Sequence, residues 1–398
     1  MDNFNKVKLQ FIIHEFLNRF LLFFPFWIIY LLDVGLTLPQ VAMMDIAFWL
    51  SIFIFEIPTG VIADKISRKF SVILSFFIQS ISIFLFAFVT DIVFFLIIYI
   101  FWGIAVTLNS GAFEAWFFDE IKYIHVNKTD EELQKIFQGV DGVVQSVGLL
   151  SSALAYSISG YFAEISLKLP IILTSIVYIF AVIWLLFIRE TPLPQSSLNS
   201  NKGNVKQSIK TIISPQLIPF VLVTIVLSSF IMSLIFWMQT YLDSLGILYT
   251  NIGFILSGAV LISSVGSSLS STFSKYFKRY TLFTCNLLIG VSMISMGLSS
   301  YLPLNIALYF MIRLINASIK PYLSSMLNMK IESDVRATTL SIIGSFSTLF
   351  ILTVELFSAI YIDARGYPGY FILSGIFFLI FCIPLSIIVI KQISLLAN

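Results

Sequence analysis

Ionisable side chains stand inside stretches otherwise built of Phe, Leu and Ile: Arg19, Glu56, Glu114, Asp141, Arg313, Lys320 and Glu355. A charge at a bilayer centre costs at least about 2.5–3.5 kcal/mol, so each must have a partner, water or a function. Arg19, Glu56, Glu114 and Asp141 fall in the cytoplasmic third of the first half of the chain. Two readings stay open for them. They form a static polar cluster that ties helices together, or one carboxylate takes a proton in one conformation and releases it in another. For that role Glu114 comes first, then Asp141 and Glu56. Arg313 and Glu355 lie at matching depth towards the outer face and are expected to pair. Glu355 is then either a rigid partner or a second proton site, since protonation would free the arginine. Lys320 follows Arg313 by two helical turns, about 10 Å deeper on the same face, with no evident partner in its half.

Other chemistries find little support. The histidines are His14 and His125, the cysteines Cys285 and Cys382 sit in apolar runs, and no nucleophile or metal-ligand constellation occurs in a span. Neither an enzyme nor a metal or cofactor site is expected. A formal net charge of +2 gives no reason to expect nucleic acid. With no soluble domain evident in the sequence, a non-transporting sensor or scaffold is not expected.

The 398 residues are 58% hydrophobic and only 11% charged, against roughly 25% charged in a soluble domain. Lipid is the expected solvent. A membrane helix needs about 20 apolar residues, and polar punctuation divides the chain into twelve such stretches: 10–32, 40–62, 70–89, 92–118, 138–163, 168–189, 216–243, 249–272, 281–301, 304–328, 337–362 and 368–390. They are continuous rather than alternating, which excludes barrel strands. The stretch behind residues 1–9 is too long for a signal h-region and lacks a small-residue cleavage site, so no cleavable signal is expected. With the N-terminus inside, the outer loops hold only Lys168 and Arg365 among the basic residues. The positive-inside rule therefore places both termini in the cytoplasm.

The polar stretch RETPLPQSSLNSNKGNVKQSIK (189–210) reads as a linker followed by a short surface helix. It suggests two halves, 1–189 and 216–398, joined by a cytoplasmic segment 190–215. A shift of 210 positions lays Phe26-Trp27 over Phe236-Trp237, Asp33 over Asp243, and GVIADKISRK (60–69) over SSTFSKYFKR (270–279). One constant offset points to duplicated six-helix bundles.

Gly60, Asp64, Arg68 and Lys69, in the loop after the second of twelve spans, resemble the signature loop of the major facilitator superfamily. The wider wording EIPTG, SGAFEAWFFDE (110–120) and RATTLS (336–341) resembles a bacterial branch of drug and multidrug exporters. The resemblance covers the whole chain. It implies an all-α fold of twelve transmembrane helices in two pseudo-symmetric six-helix bundles that rock about a central cavity. It also implies a bacterial cytoplasmic membrane location, a small-molecule substrate, protons as coupling ion and a monomer in lipid. Within the loop, Gly60 is expected to let helices approach closely, Pro58 to bend or end the ladder, and Asp64 to pair with Arg68 at i, i+4. The family resemblance makes Asp64 a gating latch and Asp119 the acid that completes the cluster with Arg68. Lys65, Arg68 and Lys69 also mark the cytoplasmic side, as any helix end would. Ser67 departs from the family's usual Gly and Lys65 from its usual Arg. Tyr99 stands before Gly103 where many proton-driven relatives carry an Arg, and Gly139, Gly142 and Gly148 form no Gly-Pro pair.

In this family spans one, four, seven and ten line the cavity. They carry Pro25, Trp27 and Tyr30; Tyr99, Trp102 and Asn109; Trp237, Gln239 and Tyr241; and Arg313, Asn316, Lys320 and Pro321. Aromatic faces with few polar groups suit a bulky amphipathic ligand, and Lys320 suits an anionic group on it. The tryptophans and tyrosines equally suit an interfacial belt. Pro321 is expected to break its helix by freeing the carbonyl of Ala317. The expected activity is proton-driven export of a hydrophobic or amphipathic compound, with proton-coupled import of a small metabolite as the alternative.

Overall fold

The computed structural model describes residues 3–188, 205–332 and 335–396. Among these lie the α-helices α1 (Asn3–Arg19), α2 (Trp27–Asp33), α3 (Leu38–Lys65), α4 (Arg68–Phe86), α5 (Ile92–Ile124), α6 (Asp130–Ile165) and α7 (Lys168–Phe187). They continue as α8 (Val205–Ile212), α9 (Ile218–Ser244), α10 (Tyr249–Ser268), α11 (Ser270–Phe277), α12 (Thr281–Leu298), α13 (Leu302–Lys330) and α14 (Arg336–Leu396). Hydrocarbon offers backbone groups no partner, so continuous helix is the form that apolar stretches of this length take. Side-chain caps mark the starts: Thr37 and Gln40 form a capping box on α3, and Thr129 and Glu132 another on α6.

Ten helices in the described residues are long and apolar enough to cross a membrane. The last, Thr338–Gln392, is 55 residues long, far more than a hydrocarbon core of about 30 Å requires. It is two crossings, divided at Gly366, whose φ of 73° and ψ of 172° are open only to glycine. The first apolar stretch escapes the count because it is interrupted between α1 and α2. Nine single crossings, one double and one interrupted crossing make the expected twelve. The connections 34–37, 87–91, 166–167, 245–248 and 299–301 are five residues or fewer. Most of the expected linker, up to residue 204, lies outside the described residues. Its end forms α8, which buries Ser208 and Ile212 while Lys206, Gln207 and Lys210 stay exposed.

The chain divides into two compact units, one of residues 1–198 with Asp243–Ser257, the other of 199–242 with Gly258–Asn398. The first unit thus takes in the beginning of α10. In this unit a serine-bearing face of α4 ties its neighbours. Ser71 and Ser75 donate to the carbonyls of Leu108 and Ala105 on α5, and Ser80 to that of Ser175 on α7. Small polar residues at such contacts let backbones approach and satisfy one another. A close backbone approach joins α6 to α10. A Cβ built on Gly160 would lie 2.6 Å from Thr250 Cα and from the Tyr249 carbonyl oxygen, and one on Gly253 2.5 Å from the Tyr156 oxygen. In the second unit α12 packs along α14. Ser233 there donates to Ser358 and shares a hydrogen bond with the Tyr370 hydroxyl, while Asn286 donates to Ser386.

Gly60 behaves differently from expectation. A Cβ at this position meets nothing within 4 Å, so no close helix approach depends on it here. Pro58 likewise neither ends nor breaks α3, which runs on to Lys65. Gly160→Ala should therefore destabilise the purified protein by about 1–3 kcal/mol, the range for forced overpacking, whereas Gly60→Ala should leave thermal unfolding in detergent unchanged.

Candidate functional site

Among the described residues, three assemblies built around an arginine stand out, two in the first unit and one in the second. The first surrounds Arg68. α3 closes at Lys65, and Ser67 adopts an extended backbone (φ −176°, ψ 137°) while its hydroxyl accepts from the Phe70 N–H at 3.0 Å. A serine N-cap thus does the work of starting α4, which explains why the usual glycine is dispensable here. Arg68 is the first residue of α4, and its guanidinium reaches α5. It donates to the Ala115 carbonyl at 3.0 Å and to Asp119 Oδ2, and lies 3.8 Å from Asp64 Oδ1. Asp119 is one turn beyond Ala115, so the carbonyl and carboxylate share a face of α5. Side-chain exposure of 27% for Arg68 and Asp119 and 41% for Asp64 keeps each pair in the range of about 0.2–1 kcal/mol. Such a cluster can form and break. Lys69 is occupied elsewhere: its ammonium donates to the Ile188 carbonyl at the end of α7, a C-terminal capping role.

A second assembly occupies the end of α1. Glu15 is buried, at 4% side-chain exposure, and Arg19 Nε donates to its Oε1 at 2.7 Å. The same arginine, 47% exposed, reaches Gln145 Oε1 at 3.4 Å, and Gln145 Nε2 reaches Asp141 Oδ1 at 3.4 Å. Glu15, Arg19, Gln145 and Asp141 thus form a chain from the interior of α1 to α6. Gly148 makes room for it: a Cβ there would lie 3.0 Å from Glu15 Oε1 and 3.1 Å from Arg19 Cγ. At Arg19 the helix stops. Its carbonyl accepts from Ser152 at 3.2 Å and from the Leu21 N–H, the Phe23 N–H turns to Thr174 Oγ1 at 3.2 Å, and helix resumes only at Trp27. The broken span expected at Pro321 is therefore found at Pro25. α13 runs unbroken through Pro321 from Leu302 to Lys330.

Immediately before this break, Asn18 ties α1 to two further helices. Its Oδ1 accepts from Asn109 at 3.3 Å and its carbonyl from the Tyr178 hydroxyl at 3.1 Å. His14 lies flat on Phe113, centroids 3.8 Å apart, with Asn109 beside it.

The third assembly corrects the expected pairing of Arg313 with Glu355. Arg313 Nε donates to Ser263 Oγ at 3.1 Å and Nη1 to the Tyr309 hydroxyl at 3.2 Å, with the guanidinium carbon 5.9 Å from the Tyr309 ring centre. Neutral hydroxyls from α10 and α13 serve the cation in place of a carboxylate. Glu355 is buried on α14, in the electrostatic neighbourhood of Tyr370.

The remaining positions separate by exposure. Glu56 and Glu114 are exposed and Asp141 half-buried. Trp27, Tyr30, Tyr99 and Asn109 are buried, as are Trp237, Gln239, Tyr241 and Asn316, whereas Lys320 is exposed. Tyr30 donates to the Ala87 carbonyl at 3.0 Å, and Tyr241 accepts from Asn305 at 2.8 Å. These contacts hold helix ends together. Trp27 and Tyr99 pack with ring centres 6.0 Å apart. Burial at this depth does not fit an interfacial belt, whose residues face the headgroups. Glu15 and the break at Arg19 were missed by sequence reasoning. A signal existed: Glu15 precedes Arg19 by one turn, the favourable order for a helical pair.

The model of the Major Facilitator Superfamily matches residues 13–352. The MFS-type transporter YxaM of Bacillus subtilis (strain 168), itself uncharacterized, is 22% identical over 369 residues, which cover 90% of each chain. Among solved structures, a bacterial homolog of the human lysosomal transporter Spinster, inward-facing and unoccupied, aligns with a TM-score of 0.78 at 13% identity, covering 98% of this chain and 97% of that one. A mutant of the nucleoside transporter NupG aligns with a TM-score of 0.80 at 12% identity, covering 96% and 99%.

An exposed N-cap is worth about 1 kcal/mol when replaced by alanine and only a few tenths when replaced by glycine. Ser67→Ala should accordingly lower the thermal stability of the detergent-solubilised protein, and Ser67→Gly should sit close to wild type.

Proposed function

The chain belongs to the major facilitator superfamily, and from that premise we propose that it exports a hydrophobic or amphipathic small molecule in exchange for protons. As a family member it is a multi-pass secondary transporter with a small-molecule substrate, and not an enzyme. The observation that carries the finer reading is the interruption of the first span at Arg19, beside a buried carboxylate. Discontinuous membrane helices are where secondary transporters build substrate and coupling-ion sites.

In this reading Glu15 and Asp141 are the coupling acids and Arg19 the cation between them. A proton arriving on Glu15 neutralises the carboxylate and releases Arg19. The half-exposed guanidinium then turns to Asp141 through Gln145 and masks that carboxylate, so the substrate leaves. Loss of the proton restores the Glu15–Arg19 pair and uncovers Asp141 for the substrate, so proton and substrate exclude one another as exchange requires. Glu114 and Glu56 are exposed and stand outside the hydrogen-bonded chain around Arg19, so they take second place. Glu355 remains a proton site of the other unit, acting without Arg313. Trp27, Tyr30, Tyr99, Asn109, Trp237, Gln239, Tyr241, Asn316 and Lys320 supply the aromatic and polar surface for the substrate as helices rearrange. Gly60, Asp64, Arg68, Lys69 and Asp119 make up the gate, with Asp64 the weakly held member that can change partner. The bacterial plasma membrane is the location that suits a relative in Bacillus subtilis.

Everted membrane vesicles with an acid lumen test both direction and coupling. Addition of ethidium or deoxycholate outside should raise acridine orange fluorescence as protons leave in exchange. A proton-symporting importer would leave that signal unchanged. Glu15→Gln and Asp141→Asn should each abolish the response, and Glu114→Gln should retain most of it. Full activity in the Glu15 and Asp141 variants, or loss confined to Glu114→Gln, would overturn the assignment of the coupling acids.

A further inference from the structure

The second unit contains a cationic hollow of about 630 Å³ between α11 and α13. Lys278, Arg279 and Lys330 line it together with Ser274, Ser325 and Met329, and the lining contains no Asp or Glu. Among the described residues no ion pair includes any of the three cations. Lys330 instead sits 5.1 Å from the ring centre of Phe220, and Arg279 lies over Tyr280.

The 210-residue repeat shows how this charge came to be unbalanced. Asp64, Arg68, Lys69, Asp119 and Glu120 of the first half correspond to Ser274, Lys278, Arg279, Met329 and Lys330. Both basic positions of the loop keep their charge, both acids that hold Arg68 have become neutral, and a third acid has become a lysine. What is an internally compensated cluster in the first unit is an uncompensated cationic pocket in the second. Backbone strain marks the same spot. Lys278 has φ 50° and ψ −128°, the one non-glycine residue with positive φ among the described residues. Such conformations persist where the surroundings hold them and gather at binding sites. A smaller hollow of about 390 Å³ shares Ser274, Tyr322 and Ser325 with the first and adds Ser267, Ser268, Ser270 and Ser271. Hydroxyls therefore stand directly beside the cations, while Met329 of the lining is 67% exposed.

We propose that this pair of hollows binds the headgroup of an anionic phospholipid, the phosphate on Lys278, Arg279 and Lys330 and a polyol headgroup such as glycerol on the serines. Cations recognise the phosphate through charge-assisted hydrogen bonds, hydroxyls exchange hydrogen bonds with the polyol, and the exposed apolar rim suits acyl chains. A free phosphate would share the first of these features alone.

Native mass spectrometry of the full-length protein in detergent, titrated with phosphatidylglycerol, phosphatidylcholine or inorganic phosphate, tests the assignment. Phosphatidylglycerol should bind preferentially, and its affinity should fall roughly 5-fold for each cation removed, so roughly 25-fold in Lys278→Gln/Lys330→Gln. Lys65→Gln, a cytoplasmic cation outside the pocket, should bind as wild type does. Lys278→Gly separates charge from folding, because glycine suits the positive φ: its lipid binding should drop although its backbone is relieved. Equal phosphatidylglycerol affinity in the pocket variants and wild type would overturn the proposal. So would equal binding of phosphatidylcholine, or inorganic phosphate displacing the lipid at millimolar concentration.

Discussion

A peptide group facing hydrocarbon without a partner costs several kcal/mol, and most features of this protein are ways of avoiding that cost. Helices supply their own partners along their length, so the difficult places are where helix stops. At the end of α1 the stop is made possible by side chains brought from elsewhere: Ser152 caps the Arg19 carbonyl and Thr174 receives the Phe23 N–H. At the end of α7 the ammonium of Lys69 takes the Ile188 carbonyl. Irregular backbone at membrane depth thus occurs where neighbours from other helices have been recruited to serve it.

The same constraint explains why polar side chains recur between helices. The serines of α4 satisfy themselves on carbonyls of α5 and α7 while keeping those helices near. Arg313 is a sharper case, a cation that donates to the hydroxyls of Ser263 and Tyr309 rather than to a carboxylate. Hydroxyls can accept from a guanidinium without adding a second charge that must also be desolvated, and desolvation is what makes buried ion pairs expensive. The pair that does form in the interior, Glu15 with Arg19, keeps the arginine half exposed, so only one of the two charges is fully withdrawn from polar surroundings.

Much of the architecture was legible because apolar length is a coarse signal: runs of about 20 residues had to be helices, and the loop holding Asp64 and Arg68 was recognisable from residue types alone. Arg68 and Asp119 are far apart in sequence, yet a known loop pattern joined them. What escaped had no such signal. The run through residues 20–26 is as apolar as its flanks, so the break at Arg19 left only Pro25 as a mark, and Pro321, which looks identical in sequence, leaves α13 intact. Glu15 was passed over because nothing in one sequence says which face of α1 turns inward. Glycines posed the same difficulty: Gly60 faces open space and Gly160 a backbone, a difference that depends on the neighbour and not on the residue. The partner of Arg313 was misjudged because depth along a span suggested a carboxylate, whereas Ser263 is one serine among many.

Gly366 turns the chain from one crossing into the next with a single residue of non-helical backbone, and the other connections on that side of the helix order take five residues or fewer. A molecule built this way has almost no soluble relief on that side. Antibodies, proteases and bulky labels find nothing to grip there, and an inserted tag would have to be accommodated by helix ends rather than by slack. Whatever specificity the transporter has on that side must be written in side chains already within the membrane.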